Sequence, residues 1–236
     1  MNAITVDIGN TALKFARYEN DTLVDFGICD TEQSLISYLE NFKFTTIVSA
    51  VGKEEMLREY AESALFKIFF LNREMAWPFE SEYDLSTLGF DRIALIAGML
   101  HEFPSTALLG IDAGTCITYD YISSNQIHLG GAIAPGIRLR FSSMHSNTAH
   151  LPFIQKIENV AIIGTSTQHA MESGVVNGVI AEINHRIIEF QQKEPNLQVV
   201  ICGGDAEFLQ PFLLGSIIYS PQIVSKGLFS ILKSNA

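Results

Sequence analysis

The sequence has few of the features that mark secreted, membrane or metal-stabilised proteins. Only three of its 236 residues are cysteines, Cys29, Cys116 and Cys202, and their odd number and wide spacing argue against a disulfide framework or a cysteine metal site. No apolar run approaches the roughly 18 residues that a membrane span needs. The N-terminus also lacks the basic and apolar regions of a signal peptide. We therefore expect a cytoplasmic protein that does not enter a membrane.

Positive charge is also scarce. The chain has 15 Lys and Arg residues against 26 Asp and Glu residues, which gives a net charge of −11. Because phosphate backbones and anionic lipids select for Lys and Arg, neither a nucleic acid nor a membrane surface is expected as a partner. An acidic protein still binds small anions where a local cation or a helix N-terminus attracts them.

The chain repeats one pattern of strands and turns. Residues 4–28 alternate in hydropathy as three strands, with an Asp-x-Gly turn after the first of them. Residues 107–133 repeat that order, and the two turn aspartates, Asp7 and Asp112, lie about 105 residues apart. Helices and strands follow each copy. The repeat predicts a duplicated α/β protein with lobes at 1–105 and 106–236 and a cleft between them.

The first turn, Asp7-Ile8-Gly9-Asn10-Thr11, has the composition of a phosphate-binding loop. Gly9 lets the backbone turn tightly, and the amides of Gly9, Asn10 and Thr11 together with the Thr11 hydroxyl are suited to phosphate oxygens. Lys14 adds a positive charge, and Asp7 is an oxygen ligand suited to Mg²⁺, directly or through water. Taken alone, the motif is better explained as a simple hairpin turn, because Gly, Asn and Asp are common turn residues.

The second turn, Asp112-Ala113-Gly114-Thr115, has the same chemistry. Two turns that each combine a carboxylate, a glycine and a threonine, in the two halves of a duplicated protein, predict a clamp for a nucleoside triphosphate. Gly114 and Thr115 are therefore candidate phosphate ligands.

A third motif, Gly89-Phe90-Asp91-Arg92, lies at the predicted start of a helix. An aspartate there is stabilised by the helix dipole, whereas a cation such as Arg92 is disfavoured. The pair therefore also fits an acceptor site, in which Asp91 takes a proton from a substrate hydroxyl and Arg92 binds an anionic group.

A fourth motif, Gly203-Gly204-Asp205, joins a predicted strand to a helix. Paired glycines at a strand end let the backbone lie against a base or ribose, in the crevice where α/β folds bind ligands. An ordinary loop with Asp205 as helix N-cap is the alternative.

Small residues recur along a long helix predicted at about 166–192. Ala170, Gly174 and Gly178 lie four residues apart and form a strip that permits close approach by another backbone, within the chain or across a dimer.

In this order, the four motifs resemble those of the type III pantothenate kinases, members of the acetate and sugar kinase, heat-shock chaperone and actin superfamily. Further matches lie in residues 130–136, 148–152 and 164–167, and the matches together run from Asp7 to Asp205. The resemblance implies a duplicated actin-like, ribonuclease H-like fold. It also implies ATP-dependent phosphorylation of pantothenate, the first step of coenzyme A biosynthesis.

The resemblance further implies roles for single residues. ATP phosphates are expected at residues 7–14 and Thr115, K⁺ or NH₄⁺ at Asp112, and proton acceptance at Asp91. Pantothenate is expected at Tyr83, Gly89, Phe90, Asp91, Arg92 and Thr167. Homodimers are the usual state of the family. Cys116 stands where the family usually has alanine, and the segment around Tyr83 matches less closely.

Two other interpretations keep the ATP clamp. One is a nucleotide-binding regulatory protein that transfers nothing, and Asp91-Arg92 argues against it because a switch needs no acceptor base. The other is a kinase of another small alcohol, such as a sugar. Sugar sites need several convergent polar groups, and the sequence shows no such cluster near Asp91.

Overall fold

The computed structural model of the chain describes residues 1–9, 12–51, 54–157 and 160–235. These residues form two compact units. The first unit comprises the described parts of residues 1–105, 122–130 and 221–236, and the second those of residues 106–121 and 131–220. The division into lobes at 1–105 and 106–236 stays a prediction.

Both predicted triplets of strands are present. The first half of the chain forms β1 (Ala3–Ile8), β2 (Leu13–Glu19), β3 (Thr22–Cys29), α1 (Glu32–Phe42), β4 (Thr45–Ala50), α2 (Glu55–Ser63), β5 (Ile68–Phe70), β6 (Glu80–Ser81) and α3 (Phe90–Glu102). The second half forms β7 (Leu108–Ala113), β8 (Cys116–Ile122), β9 (Ile127–Pro135), α4 (Ile137–Ser146), α5 (Thr167–Lys193), β10 (Gln198–Cys202), α6 (Ala206–Leu209), β11 (Ile217–Tyr219) and α7 (Ile223–Asn235). The predicted long helix corresponds to α5.

The first unit is built on a mixed sheet of order β3-β2-β1-β4-β5. The hairpin β1–β2–β3 is antiparallel, and β4 and β5 extend it with parallel strands. Alternate residues of β1 point to a core that also receives Leu35 and Leu39 of α1 and Leu57 of α2. Because side chains alternate along a strand, this leaves Asp7 on the opposite face from Val6 and Ile8.

Helix α3 is buried almost all round and packs against the C-terminal helix α7. Every residue from Arg92 to Met99 is buried. The helices approach so closely that a Cβ on Gly98 would lie 2.1 Å from the Ile223 carbonyl oxygen, and one on Gly227 would lie 1.7 Å from the Ala94 carbonyl oxygen. Glycine at both positions therefore sets the contact that covers α3.

The second unit contains strands in the order β11-β10-β7-β8-β9, with β10 parallel to both of its neighbours. Helix α5 contributes a row of aliphatic side chains to the core against these strands, namely Val175, Val176, Val179, Ile183 and Ile187. In the first unit, the two-residue strand β6 pairs in parallel with Ile127 and His128 at the start of β9.

None of the helices in the described parts of the chain is long and apolar enough to cross a membrane. The three cysteines are free thiols: Cys29 is half-buried, Cys116 exposed and Cys202 buried.

Candidate active site

The first Asp-Gly turn joins β1 to β2 and places opposite charges side by side. Asp7 and Lys14 are direct partners in the antiparallel register, and both are half-buried. Partners in such a ladder project from the same face with Cβ atoms about 5 Å apart. A carboxylate and an ammonium group thus share one surface beside the turn. Asn10 and Thr11, which are candidate phosphate ligands, lie outside the described residues.

Gly9 closes this turn with its own backbone. Its N–H donates to the Ala12 carbonyl oxygen at 3.1 Å. This differs from the expectation that the Gly9 amide binds phosphate, because that donor is already used inside the turn. The contribution of Gly9 is its missing side chain, which leaves the backbone accessible to a ligand.

The second Asp-Gly turn, in the second unit, is also closed by a glycine amide. The Gly114 N–H donates across the turn to the Cys116 carbonyl oxygen at 3.0 Å. Asp112 lies at the end of β7 beside Cys202 of β10, and Thr115 is exposed at the tip. A glycine amide thus closes each turn, but onto the third residue along in the first turn (Ala12) and onto the second residue along in the second turn (Cys116).

Helix α4 begins directly against the second turn. The Gly136 N–H donates to the Thr115 carbonyl oxygen at 3.0 Å, and a Cβ on Gly136 would lie 2.1 Å from the Gly114 carbonyl oxygen. A helix N-terminus carries partial positive charge, which suits a phosphate group. Sequence reasoning did not assign Gly136 to the site; its only local signal is Pro135-Gly136 ahead of a helix.

A partly buried network of an ion pair and hydrogen bonds fixes α4 in this position. Arg140 donates through Nη2 to Glu182 of α5 at 2.6 Å and through Nε to the Pro135 carbonyl oxygen at 2.8 Å. The Tyr119 hydroxyl donates to the other oxygen of Glu182 at 2.7 Å. Burial opposes ionisation of Glu182, but the hydrogen bonds from Arg140 and Tyr119 outweigh it and lower the pKa of this carboxyl. The start of α4 is thereby tied to α5 and β8.

The Gly-Gly-Asp loop after β10 packs against Asp112. Gly203 has a φ of +97°, and a Cβ there would lie 2.4 Å from both Asp112 Oδ1 and the Ala113 carbonyl oxygen. The Asp205 N–H donates to the same carbonyl at 2.8 Å. The Asp205 side chain makes no capping hydrogen bond, and burial raises the pKa of its carboxyl. The loop therefore serves to bring a glycine backbone beside Asp112.

Replacement of the two loop glycines is expected to have opposite results. Gly203→Ala forces a side chain into the left-handed region and against the Ala113 backbone, and it is expected to lower the free energy of unfolding by about 2–4 kcal/mol. Gly204→Ala is the matched control, because a Cβ on Gly204 meets no atom within 4 Å. Its unfolding free energy is expected within about 0.5 kcal/mol of wild type. Urea denaturation measures both values, and similar midpoints for the two variants would contradict the packing described.

The third motif forms the first turn of α3. Gly89 is the N-cap, and a Cβ on it would lie 2.4 Å from Asp91 Oδ1. The Asp91 carboxylate thus occupies the space that a side chain at residue 89 would need. Glycine at this position lets the carboxylate fold over the helix start, where the N-terminal dipole stabilises its negative charge.

Arg92 is placed by Tyr83. Its side chain is 4 % exposed, and the guanidinium lies 5.0 Å from the centroid of the Tyr83 ring. A cation–π contact of this kind offsets part of the cost of holding a cation near a helix N-terminus. Tyr83, from the preceding loop, is therefore one neighbour that stabilises Arg92 in the first turn. Arg92 and Tyr83, which are both predicted to bind pantothenate, are thus in contact with each other.

Arg73 holds the loop that leads into this motif. Its two terminal nitrogens donate to the carbonyl oxygens of Leu85 and Leu88, each at 2.6 Å, and its guanidinium lies 4.4 Å from the centroid of Phe90. The ring of Trp77 lies 6.3 Å from that of Phe90. Phe90 thus packs against Arg73 and Trp77 and remains half-buried. Sequence reasoning missed Arg73, because no local pattern links it to residues 85–90.

Thr167 is the first residue of α5 and is exposed. The helix is capped by the Ser166 hydroxyl, which accepts a hydrogen bond from the His169 N–H at 3.2 Å. Gly164 approaches the helix so closely that a Cβ would lie 2.2 Å from the Ala170 nitrogen. The cap and the close glycine fix the position of Thr167 at the helix start.

Among the residues that the structure describes, no group of three or more His, Cys, Asp or Glu side chains is placed to hold a metal ion.

Comparison with known proteins identifies the family and the fold. The family model for type III pantothenate kinase matches residues 3–189. A type III pantothenate kinase of Flavobacterium psychrophilum is 37% identical over 231 residues, covering 95% of this chain and 96% of the relative. One of Porphyromonas gingivalis is 35% identical over 243 residues, covering 98% of each.

Solved structures show a similar fold. A Campylobacter jejuni protein assigned to the Baf family of transcriptional activators has a TM-score of 0.63 at 25% identity, covering 98% of each chain. The activator of the 2-hydroxyisocaproyl-CoA dehydratase of Clostridium difficile, with bound ADPNP, has a TM-score of 0.54 at 16% identity, covering 99% of this chain and 96% of that one. The predicted two-lobed actin-like α/β fold is confirmed. With its family model matched over most of its length, the chain belongs to the type III pantothenate kinase family.

Proposed function

We propose that this chain transfers the γ-phosphoryl group of ATP to the primary alcohol of pantothenate, the first step of coenzyme A biosynthesis. The observation that carries the proposal is the acceptor motif at the start of α3. There a glycine leaves room for the Asp91 carboxylate, and the adjacent buried Arg92 is held by an aromatic ring. Family membership supplies the identity of the acceptor.

The ATP phosphates are assigned to the two Asp-Gly turns. Lys14 neutralises phosphate charge beside the first turn, and Gly9, Asn10 and Thr11 form its loop. Gly114 and Thr115 form the second turn, where the start of α4 adds partial positive charge. Gly203 and Gly204 present flat backbone to the nucleoside. A bound Mg²⁺, held near Asp7 through water or phosphate oxygens, supplies further charge neutralisation.

Catalysis in this proposal is mainly positioning. The transition state of phosphoryl transfer is loose, so alignment and neutralisation of charge contribute more than covalent chemistry. Asp91 orients the acceptor hydroxyl and takes its proton, and the Arg92 guanidinium binds the pantothenate carboxylate. Tyr83, Gly89, Phe90 and Thr167 complete the acceptor side.

A monovalent cation is assigned to Asp112. The carboxylate lies at a strand end, half-buried and in contact with the Gly203 backbone position. An ATP phosphate near such a carboxylate is repelled, and K⁺ or NH₄⁺ held by Asp112 and turn carbonyls removes that repulsion.

We also place the protein in the cytoplasm. A reducing compartment fits its three free cysteines, and coenzyme A biosynthesis takes place where ATP is available.

The test of function is pantothenate-dependent formation of ADP. Purified protein with ATP, Mg²⁺ and K⁺ is expected to release ADP only when pantothenate is added, in preference to glucose or glycerol. Preference for a sugar would favour another acceptor. ADP release without any acceptor would indicate a nucleotidase, and nucleotide binding with no release would favour a regulatory protein.

The protein is further proposed to act as a homodimer through α5. Ala170, Gly174 and Gly178 are exposed, and a Cβ on either glycine would meet nothing within 4 Å. Beside them lies a groove of about 650 Å³, lined by residues from the end of β9, α4 and α5: Pro135, Leu139, Arg140, Ser143, Met144, Ala170, Met171, Gly174 and Val175. Nearby Ile162 and Ile163 are 84% and 78% exposed. An open glycine strip beside apolar surface suits close packing of a second chain.

Gly174→Leu is expected to convert the dimer to a monomer, because a bulky side chain then occupies the strip. Gln192→Leu is the matched control, since it places the same side chain on the same exposed stripe about 27 Å further along the helix. Light scattering is expected to show two chains for wild type and Gln192→Leu and one chain for Gly174→Leu. A wild-type monomer with full activity at micromolar concentration would disprove the dimer.

A further inference from the structure

We propose that His128, hydrogen-bonded to Ser81, is a positioning residue that sets the place of Tyr83 and Arg92 in the acceptor site. The inference rests on the proposed function, which assigns pantothenate to those two residues. Neither His128 nor Ser81 belongs to any of the four sequence motifs.

His128 is a fully buried polar side chain at the start of β9. Its exposure is 0%, and its Nδ1 lies 2.8 Å from the Ser81 hydroxyl oxygen, 47 residues earlier in the chain. Ser81 and His128 are also register partners in the β6–β9 ladder. Buried polar groups need partners, so this hydrogen bond fixes the orientation of both side chains.

Ser81 passes this constraint to Tyr83. The Tyr83 N–H donates to the Ser81 hydroxyl oxygen at 3.0 Å, and the Glu82 N–H donates to the His128 carbonyl oxygen at 2.9 Å. Strand β6 is only two residues long, so its backbone hydrogen bonds to β9 alone constrain the following loop weakly. The His128–Ser81 pair is therefore a large part of what fixes the backbone at Tyr83.

The Tyr83 ring is positioned on both sides. It lies 6.1 Å from the His128 ring, and it packs over Gly130, where a Cβ would lie 3.7 Å from Tyr83 Cδ2. The same ring lies under the buried Arg92 guanidinium at 5.0 Å. A shift of residues 81–83 would thus move Arg92, the proposed partner of the pantothenate carboxylate. Because these residues do not touch the reacting phosphoryl group, loss of the pair should weaken acceptor binding more than chemistry.

Four variants separate the hydrogen bond from the aromatic packing. His128→Phe keeps a ring but removes the nitrogen, whereas His128→Asn loses the ring but keeps a polar atom close to the position of Nδ1. Ser81→Ala removes the partner. Ser86→Ala is the matched control, because the Ser86 hydroxyl bonds to Asp84 in the same loop.

Steady-state kinetics with ATP and pantothenate are expected to separate these variants by their KM for pantothenate. His128→Phe should raise KM for pantothenate about tenfold, the scale of one lost hydrogen bond, with kcat and KM for ATP within about twofold. Ser81→Ala should raise KM for pantothenate at least as much, because it also removes the acceptor of the Tyr83 N–H. His128→Asn should return KM to within about threefold of wild type, and Ser86→Ala should not change it. The His128→Phe/Ser81→Ala double variant should match Ser81→Ala alone, because Ser81→Ala already removes the hydrogen bond to His128.

A binding measurement gives a readout independent of turnover. Trp77 is the only tryptophan and lies beside Phe90, so its fluorescence can follow pantothenate binding. The dissociation constant should rise with KM in His128→Phe and Ser81→Ala. Unchanged pantothenate affinity in folded variants, additive effects in the double variant, or an equal rise in KM for ATP would each overturn the inference. A wild type without pantothenate-dependent ADP release would overturn the proposed function and this inference together.

Discussion

Asp91→Asn is expected to reduce kcat by about 10²–10⁴-fold, the usual range for loss of a general base, while KM for ATP stays unchanged. Asparagine has the size of aspartate but does not accept the hydroxyl proton. The effect should therefore appear in the chemical step and not in nucleotide binding. Initial rates at saturating pantothenate, with ATP varied, measure both quantities.

Two further variants test whether the effect depends on the position of the Asp91 carboxylate and not only on its charge. Asp30→Asn removes the same charge at an exposed site of the same unit and should keep wild-type rates. Gly89→Ala keeps the carboxylate but displaces it, because the new Cβ would lie 2.4 Å from Asp91 Oδ1. Its kcat is expected to fall as well. An Asp91→Asn enzyme within about tenfold of wild type would show that Asp91 is not the base.

Activity is expected to depend on K⁺ or NH₄⁺ through Asp112. Two anions, the carboxylate and an ATP phosphate, repel by about 1 to several kcal/mol as the effective dielectric constant falls, and a cation held with them removes this repulsion. At one fixed ionic strength, rates in KCl should exceed those in NaCl and in choline chloride by about tenfold or more. Asp112→Ala should lose this difference.

Fixed ionic strength is the essential control, because salt also screens the net charge of −11. Screening acts equally with any monovalent cation, whereas a bound ion must fit its site. Equal rates in the three salts, with wild type and Asp112→Ala alike, would assign the effect to screening and leave Asp112 without this role.

The parts of the site that could be predicted are those encoded over short stretches. The two turns needed only a strand pattern followed by Asp, Gly and Thr, and Gly89 to Arg92 needed only a helix start. The structure adds that the Gly9 and Gly114 amides close their own turns. That detail depends on backbone direction within the turn, which residue types alone do not determine.

The parts that could not be predicted join residues distant in the chain. The Gly136 backbone meets Thr115, Gly203 meets Asp112, and Ser81 meets His128, and no local period relates the members of these pairs. Strand β6 is too short to show alternation, so the pairing of Ser81 with His128 leaves no pattern in the sequence. Only the tertiary fold reveals which glycines are required by close contact.

The packing of α7 on α3 has a consequence for how the protein is made. A ribosome completes α3, which ends at Glu102, long before it adds α7, which begins at Ile223. Until α7 emerges, the apolar side of α3 around Gly98 has no cover, and the first unit lacks part of its core. Domains usually fold as units during synthesis, the N-terminal one first. Here the first unit cannot complete its core until α7 has been synthesised, so a chain interrupted before α7 keeps apolar surface exposed and is prone to aggregate.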